Sequence, residues 1–321
     1  MEQRRFGRTG LHVPALTFGG GWVGGVLIHG TEAEAFAALD RAVEAGIDWI
    51  DTAALYGQGV SETVIGRWLQ GRTDRPRIST KFRVEPGAGD FQGQMMRSVE
   101  ASLQRLGLDR VEVIIQHNMV AAEAGERDLT PAQMIALADA MEHLREQDLC
   151  AHIGMTALGD PAPLAEVVDA GRFDVAQVYY NMVNPTAWQG RTPWNSTNFD
   201  GLLQRCIAQD MGVMGIRIFA AGHLATPTRH GREIPVTIDA EDAAEEARAR
   251  VIWAALEDGD GAPAQAALRF GLACPALSTI VVGLGKQSHL DLAIAAEAMG
   301  PLPEGRLSAI SSLWDGPAFT G

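Results

Sequence analysis

The order of elements written into this sequence predicts a closed (β/α)8 barrel with an N-terminal β-hairpin cap. Eight short apolar runs of strand character alternate with amphipathic helical segments, and 321 residues fall in the range such barrels fill as one domain, here taken as 1–321.

The elements follow in chain order. The opening "RRFGRTGLHVPA" sets turn residues Gly7 to Gly10 between two β-like stretches, a hairpin that would close the barrel's bottom. Strands are expected at 15–20, 47–51, 77–80, 111–117, 151–155, 175–181, 212–218 and 278–283. A helix over 32–46 repeats Phe36, Leu39, Ala42 and Val43 at helical spacing and stops at Gly46. The next, 61–71, has Ser61 as its expected N-cap and Gly71 as its stop. Further helices fit 92–106, 131–147, 161–171, 200–210, 261–273 and 286–299. Two segments exceed the repeat. The stretch 182–199, with Trp188 and Trp194, is long enough to be a functional loop over the barrel mouth. The acidic stretch 239–258 reads as an additional helix.

Composition excludes several classes. A net charge of −14 argues against nucleic acid as a partner, which needs clustered positive charge. No run approaches the roughly 18 apolar residues of a membrane span. The N-terminal stretch lacks the apolar core of a signal peptide, so a cytoplasmic location is expected. Cys150, Cys206 and Cys274 are isolated, which suits buried thiols in a reducing compartment rather than disulfides or a metal site. Of 26 basic residues only two are lysine, Lys81 and Lys286. Where arginine serves nearly everywhere, a retained lysine marks a place that needs a compact ammonium.

Chemistry in such barrels sits at the C-terminal ends of the strands. Read there, the second strand delivers Asp51 with Tyr56 just beyond, the third Lys81, the fourth His117, the fifth Thr156 and the sixth Gln177. An ammonium beside a phenol favours the phenolate, a carboxylate holds the ammonium charged, and an imidazole orients a carbonyl oxygen; together they form a proton relay for carbonyl reduction or alcohol oxidation. Taken singly, each has an ordinary structural reading as a turn former, a packing ring or a surface charge. Four on neighbouring strand ends do not.

The pattern "DTAALYGQGVSETVIG", then "STK" and "QHN", resembles the aldo-keto reductase superfamily over nearly the whole chain. The resemblance implies a (β/α)8 barrel, a tetrad of Asp51, Tyr56, Lys81 and His117, and hydride transfer from NADPH with Tyr56 as general acid, or as base in reverse. It places the nicotinamide near Gly20, Gly21 and Trp22, with Thr156 and Gln177 toward its carboxamide. The usual Ser-Asn pair is Thr156-Ala157 here, so one amide contact is missing. Ile216 falls at the ring-stacking position, and Arg217 is available to the pyrophosphate. The turn "VVGLGKQS", with Gly283, Gly285, Lys286 and Gln287, is a strand, glycine turn and helix start suited to phosphate, and Lys286 favours NADP+ over NAD+, although NADH use stays open. An Asn usual later in this helix is Ala293, with Asp291 nearby. Trp22, Phe82 and Asn118 flank the tetrad as substrate contacts, and Asn118 points to a polar carbonyl or sugar-type substrate. Two further readings stay open: a cofactor-binding regulatory or redox-sensing subunit, and a Schiff-base aldolase on Lys81. Substrate, direction and oligomeric state are not legible.

Overall fold

The computed structural model describes residues 1–21, 23–228, 231 and 242–321; Trp22 and residues 239–241 of the acidic stretch lie outside them. Strands β1 (Gln3–Arg5) and β2 (His12–Pro14) pair antiparallel around a 3-10 turn. The barrel strands are β3 (Leu16–Gly19), β4 (Trp49–Asp51), β5 (Arg77–Phe82) and β6 (Val111–Gln116). A small ladder of β7 (Met119–Val120) and β8 (Asp128–Leu129) interrupts them. The barrel resumes with β9 (Cys150–Ala157), β10 (Val175–Tyr179), β11 (Gly212–Ile216) and β12 (Thr279–Gly283). These eight close in the order β10-β11-β12-β3-β4-β5-β6-β9, all parallel.

Around them run α1 (Val26–His29), α2 (Glu32–Glu44), α3 (Val60–Leu69), α4 (Phe91–Leu106), α5 (Pro131–Glu146) and α6 (Pro161–Asp169). Then come α7 (Leu202–Ala208), α8 (Asp242–Ala254), α9 (Pro263–Leu272), α10 (Gln287–Met299), α11 (Glu304–Leu313) and α12 (Pro317–Thr320). Helices α2 and α5 start in capping boxes, Thr31 with Glu34 and Thr130 with Gln133. Helix α3 does not start as the sequence suggests. Gly59, at φ 90°, is its N-cap, and Ser61 lies inside the helix with its hydroxyl bonded to Thr52 at 2.8 Å.

The strand period of two sorts the side chains. Phe6, Val13, Trp49, Val113, Ile115, Val175 and Met214 form one buried cluster, in which the hairpin's Phe6 meets Trp49 edge-on at 5.3 Å. That cluster plugs the barrel's lower end and leaves the upper end to polar groups. Ile50, Ile78, Ile114 and Val213 point outward into the larger core beneath the helices. Phe82 belongs to this outer set, buried to 1% exposure. With Lys81 inside, its neighbour must face out, so Phe82 is a packing residue and not a substrate contact.

The 182–199 loop is tied to the barrel's flank. Asn184 donates to the Thr197 carbonyl at 2.9 Å, Trp194 packs on Phe319 of α12 at 5.6 Å, and the Asn195 N–H donates to the Phe319 carbonyl at 2.9 Å. The three cysteines are buried, and burial pushes the thiols of Cys150 and Cys206 up to about 12 and that of Cys274 up to about 11. Among the described residues no helix is long and apolar enough to cross a membrane, and no group of His, Cys, Asp and Glu is arranged to hold a metal ion.

Candidate active site

At the upper end of the barrel, β4 and β5 run in register with Asp51 opposite Ser79, which sets Lys81 one inward position higher. The Lys81 ammonium donates to the Asp51 carboxylate at 2.5 Å and to the Thr52 carbonyl at 2.7 Å. Asp51 is held from behind: its other oxygen accepts from the Ser79 hydroxyl and from the Gln177 amide, both at 2.7 Å, and Ser79 in turn accepts from the Trp49 indole at 3.1 Å. A buried ion pair is stable only when its remaining lone pairs are satisfied, and this chain of donors satisfies them.

Tyr56 leans over this pair. The Lys81 nitrogen lies 4.8 Å from the centre of its ring, and the imidazole of His117 meets the ring edge-on at 5.9 Å. Burial opposes the charge on Lys81, but Asp51 and then Tyr56 outweigh it and lift the ammonium above the ordinary lysine value. The amine is thus protonated and donates two hydrogen bonds, the opposite of what a Schiff-base nucleophile requires. Burial, and after it the cations Lys81, Arg83 and Arg217, drive His117 well below the ordinary histidine value. His117 is therefore neutral, and its buried Nδ1 has no partner.

These groups open into a cavity of about 1170 Å³, larger than the roughly 300–1,000 Å³ usual for one small ligand. Asp51, Tyr56, His117, Thr156, Gln177, Ile216, Arg217, Gly283, Gly285 and Lys286 all line it. Thr156 and Gln177 stand side by side in the β9–β10 register, the Thr156 hydroxyl buried without a partner. Arg217 leaves β11 with a φ of 60°, and Ala220 and Ala221 follow at 46° and 56°. Of these three left-handed non-glycine residues, Arg217 and Ala221 line the cavity, so backbone strain is held at its wall. The Asn181 amide clamps that turn through the Arg217 carbonyl at 3.0 Å.

Several sequence expectations change. Gly21 faces the cavity, where an added Cβ would lie 3.7 Å from the Tyr56 ring. Gly20 is behind the wall: its N–H donates to the Asp51 carbonyl at 2.8 Å, and a Cβ would strike the Ser61 hydroxyl at 2.6 Å. Gln287 opens α10 exposed and outside the cavity, while His289, one position beyond the next residue, lines it and accepts from the Gly285 N–H at 3.3 Å. Asn118 touches the cavity, but its amide is committed: Oδ1 accepts from the Val84 N–H at 3.0 Å, and Nδ2 donates to the Val84 and Arg127 carbonyls, each at 2.8 Å. It shapes the loops and has no hydrogen left for a substrate. Asp291 turns away to pair with Arg41 at 3.0 Å, whereas Ala293 lines the wall. No residue of 182–199 lines the cavity, so Trp188 and Trp194 do not close it. Sequence reading missed Arg83 and Arg127, both on the lining. Arg83 was findable: it shares the inward parity of Ser79 and Lys81.

Comparison with known proteins bears on the same region. The model of the aldo/keto reductase family matches residues 15–315. D-threo-aldose 1-dehydrogenase of Pseudomonas sp is 29% identical over 254 residues, 70% of this chain and 71% of the relative. L-galactose dehydrogenase of Arabidopsis thaliana is 32% identical over 163 residues, 49% of each chain. Among solved structures, the holo form of aldo-keto reductase AKR11C1 from Bacillus halodurans superposes with a TM-score of 0.76 at 20% identity, covering 98% of this chain and 96% of that one.

Proposed function

The chain belongs to the aldo/keto reductase family, and on that premise we propose that it reduces an aldehyde or ketone with NADPH, or oxidises a sugar-type alcohol in reverse, Tyr56 moving the proton. It is an oxidoreductase of carbonyl and CH–OH groups, with a nicotinamide cofactor and a small-molecule substrate. The observation that carries the finer reading is the Asp51–Lys81 pair set under the Tyr56 ring, with neutral His117 at the ring's edge and the cavity above.

The cavity fits a dinucleotide. Its size exceeds that of one small ligand, the unpartnered Thr156 hydroxyl offers a polar contact at its wall, and Gly283, where an added Cβ would meet nothing nearer than 4.0 Å, leaves open space before the α10 N-terminus. In the proposed arrangement Thr156 and Gln177 hold the nicotinamide amide, Ile216 its face, and Arg217, Lys286 and His289 the phosphates. Bound there, the cofactor supplies or accepts a hydride. The protein's own part is to place the carbonyl oxygen between the Tyr56 hydroxyl and the His117 imidazole, and to move one proton at the tyrosine oxygen. Because His117 is neutral, it orients that oxygen without adding a charge, and Lys81 supplies the positive field that receives developing negative charge on Tyr56. The names of the two dehydrogenase relatives point the substrate search toward aldoses.

The test is kinetic and spectroscopic. NADPH should be quenched on binding more strongly than NADH, through Lys286. Tyr56→Phe should lower kcat by about 100-fold or more and keep cofactor affinity. Full-rate turnover in that variant would remove Tyr56 as the acid, and cofactor binding with no turnover of any carbonyl or aldose would indicate the regulatory reading.

A further inference from the structure

The positive charge on the cavity wall comes in two groups, and a dinucleotide accounts for one. Arg217 and Lys286 follow β11 and β12. Arg83 follows β5, and Arg127 precedes β8 in the loops after β6, on the other side of the barrel mouth. Tyr56 and His117 lie between the two groups.

We infer that the substrate carries an anionic group, a carboxylate or a phosphate ester, which docks on Arg83 and Arg127 while its reacting carbon sits at Tyr56. This rests on the proposed oxidoreductase site. Most arginines of this chain are engaged with carboxylates, as in the pairs of Arg72, Arg145 and Arg306. Neither Arg83 nor Arg127 makes an ion pair among the described residues. Arg83 spends one guanidinium nitrogen on the His117 carbonyl at 3.3 Å, and its buried Nε has no partner. Burial, and after it the repulsion of Arg127, lowers the Arg83 pKa, and the two cations, Arg127 the more exposed, share the cavity lining. The acids on this wall do not cancel them. Asp128 draws on Arg83 only at a distance and folds back on Gly125, where a Cβ would meet its carboxylate at 2.8 Å, and Glu126 is exposed. A planar fork left unpaired beside a second cation matches a carboxylate or phosphate. The link through the His117 carbonyl puts that anion within a short molecule's reach of the reacting carbon.

The test compares matched pairs: D-glucuronate with D-glucose, and D-glyceraldehyde 3-phosphate with D-glyceraldehyde. With NADPH or NADP+ saturating, the anionic member of at least one pair should show about tenfold higher kcat/KM, carried by KM, and the pair that shows it tells carboxylate from phosphate. Arg83→Met and Arg127→Met should each erase most of that preference, and Arg83→Lys should keep part of it. Calorimetric titration of the same four compounds without cofactor gives a readout that needs no turnover. There the preference should fall in Arg83→Met and persist in Lys286→Met. Equal handling of both members of each pair, or a preference that survives the Arg83→Met, Arg127→Met double variant, would overturn the inference. Loss of all turnover with the binding preference intact would count against the oxidoreductase reading and not against this one.

Discussion

Lys81 and Asp51 show how little room a buried pair leaves. Removing the carboxylate strands an ammonium that is 1% exposed, so Asp51→Asn should cost about 3–5 kcal/mol in urea denaturation, well beyond an exposed pair. A loss under 1 kcal/mol would mean that the Thr52 carbonyl alone carries the charge. His117 gives a pH signature. Its folded pKa lies well below the ordinary 6.5, so at pH between those values the unfolded chain binds a proton that the native state does not. Its contribution to stability is present above pH 6.5 and is lost as pH falls through that window, above the range where Asp174 and Asp260, themselves lowered from 3.8, come into play. The stability difference between wild type and His117→Gln should therefore be level above neutrality and shift against the wild type on acidification; a level difference down to pH 5 would show that His117 takes up its proton as easily folded as unfolded. At this scale the convergence of Asp51, Tyr56, Lys81 and His117 was legible in sequence, because strand ends and residue types suffice to bring them to one end of the barrel. Asn118 was misread because its neighbours' backbone groups, which consume its amide, come from loops that no periodicity reveals.

Elements interlock through positions where only hydrogen fits. Gly66 lies mid-way along α3, and a Cβ there would fall 2.1 Å from the Arg105 carbonyl of α4. Helix propensity alone makes Gly→Ala favourable by about 1 kcal/mol, but the packing reverses the sign. Gly66→Ala should destabilise by about 1–3 kcal/mol, read as a lower denaturation midpoint; a gain would mean that the helices part freely. The eight barrel strands and the helices that alternate with them were placed from periodicity to within about two residues, since amphipathic segments around a buried sheet are what periodicity reports; α1, α11, α12 and the β7–β8 ladder, which stand outside that repeat, were not foreseen. The start of α3 was not, because the Gly57-Gln58-Gly59 turn carries the chain through left-handed backbone into the helix where a side-chain cap was expected. The 182–199 loop was legible as unusual and illegible in direction, since its anchor, Phe319, is more than a hundred residues away.

Across the whole molecule, a chain of net charge −14 gathers cations at one end of its barrel, and the sequence total conceals this because charge is read by place and not by sum. Only the fold brings Arg83, Arg127, Arg217 and Lys286 around one opening. The same economy of lysine has a practical reach. Beyond its α-amino group the protein has two primary amines, one sealed under Tyr56 and one exposed on the cavity rim. An amine-selective acylating reagent should therefore modify the native protein at Lys286 and spare Lys81, and peptide mass analysis should find that modification suppressed by NADP+. Acylation of Lys81 in the folded state, or indifference of Lys286 to the dinucleotide, would contradict the arrangement. The two residues that stand apart in composition thus become a built-in footprinting pair, one reporting whether the barrel is intact and the other whether its mouth is filled.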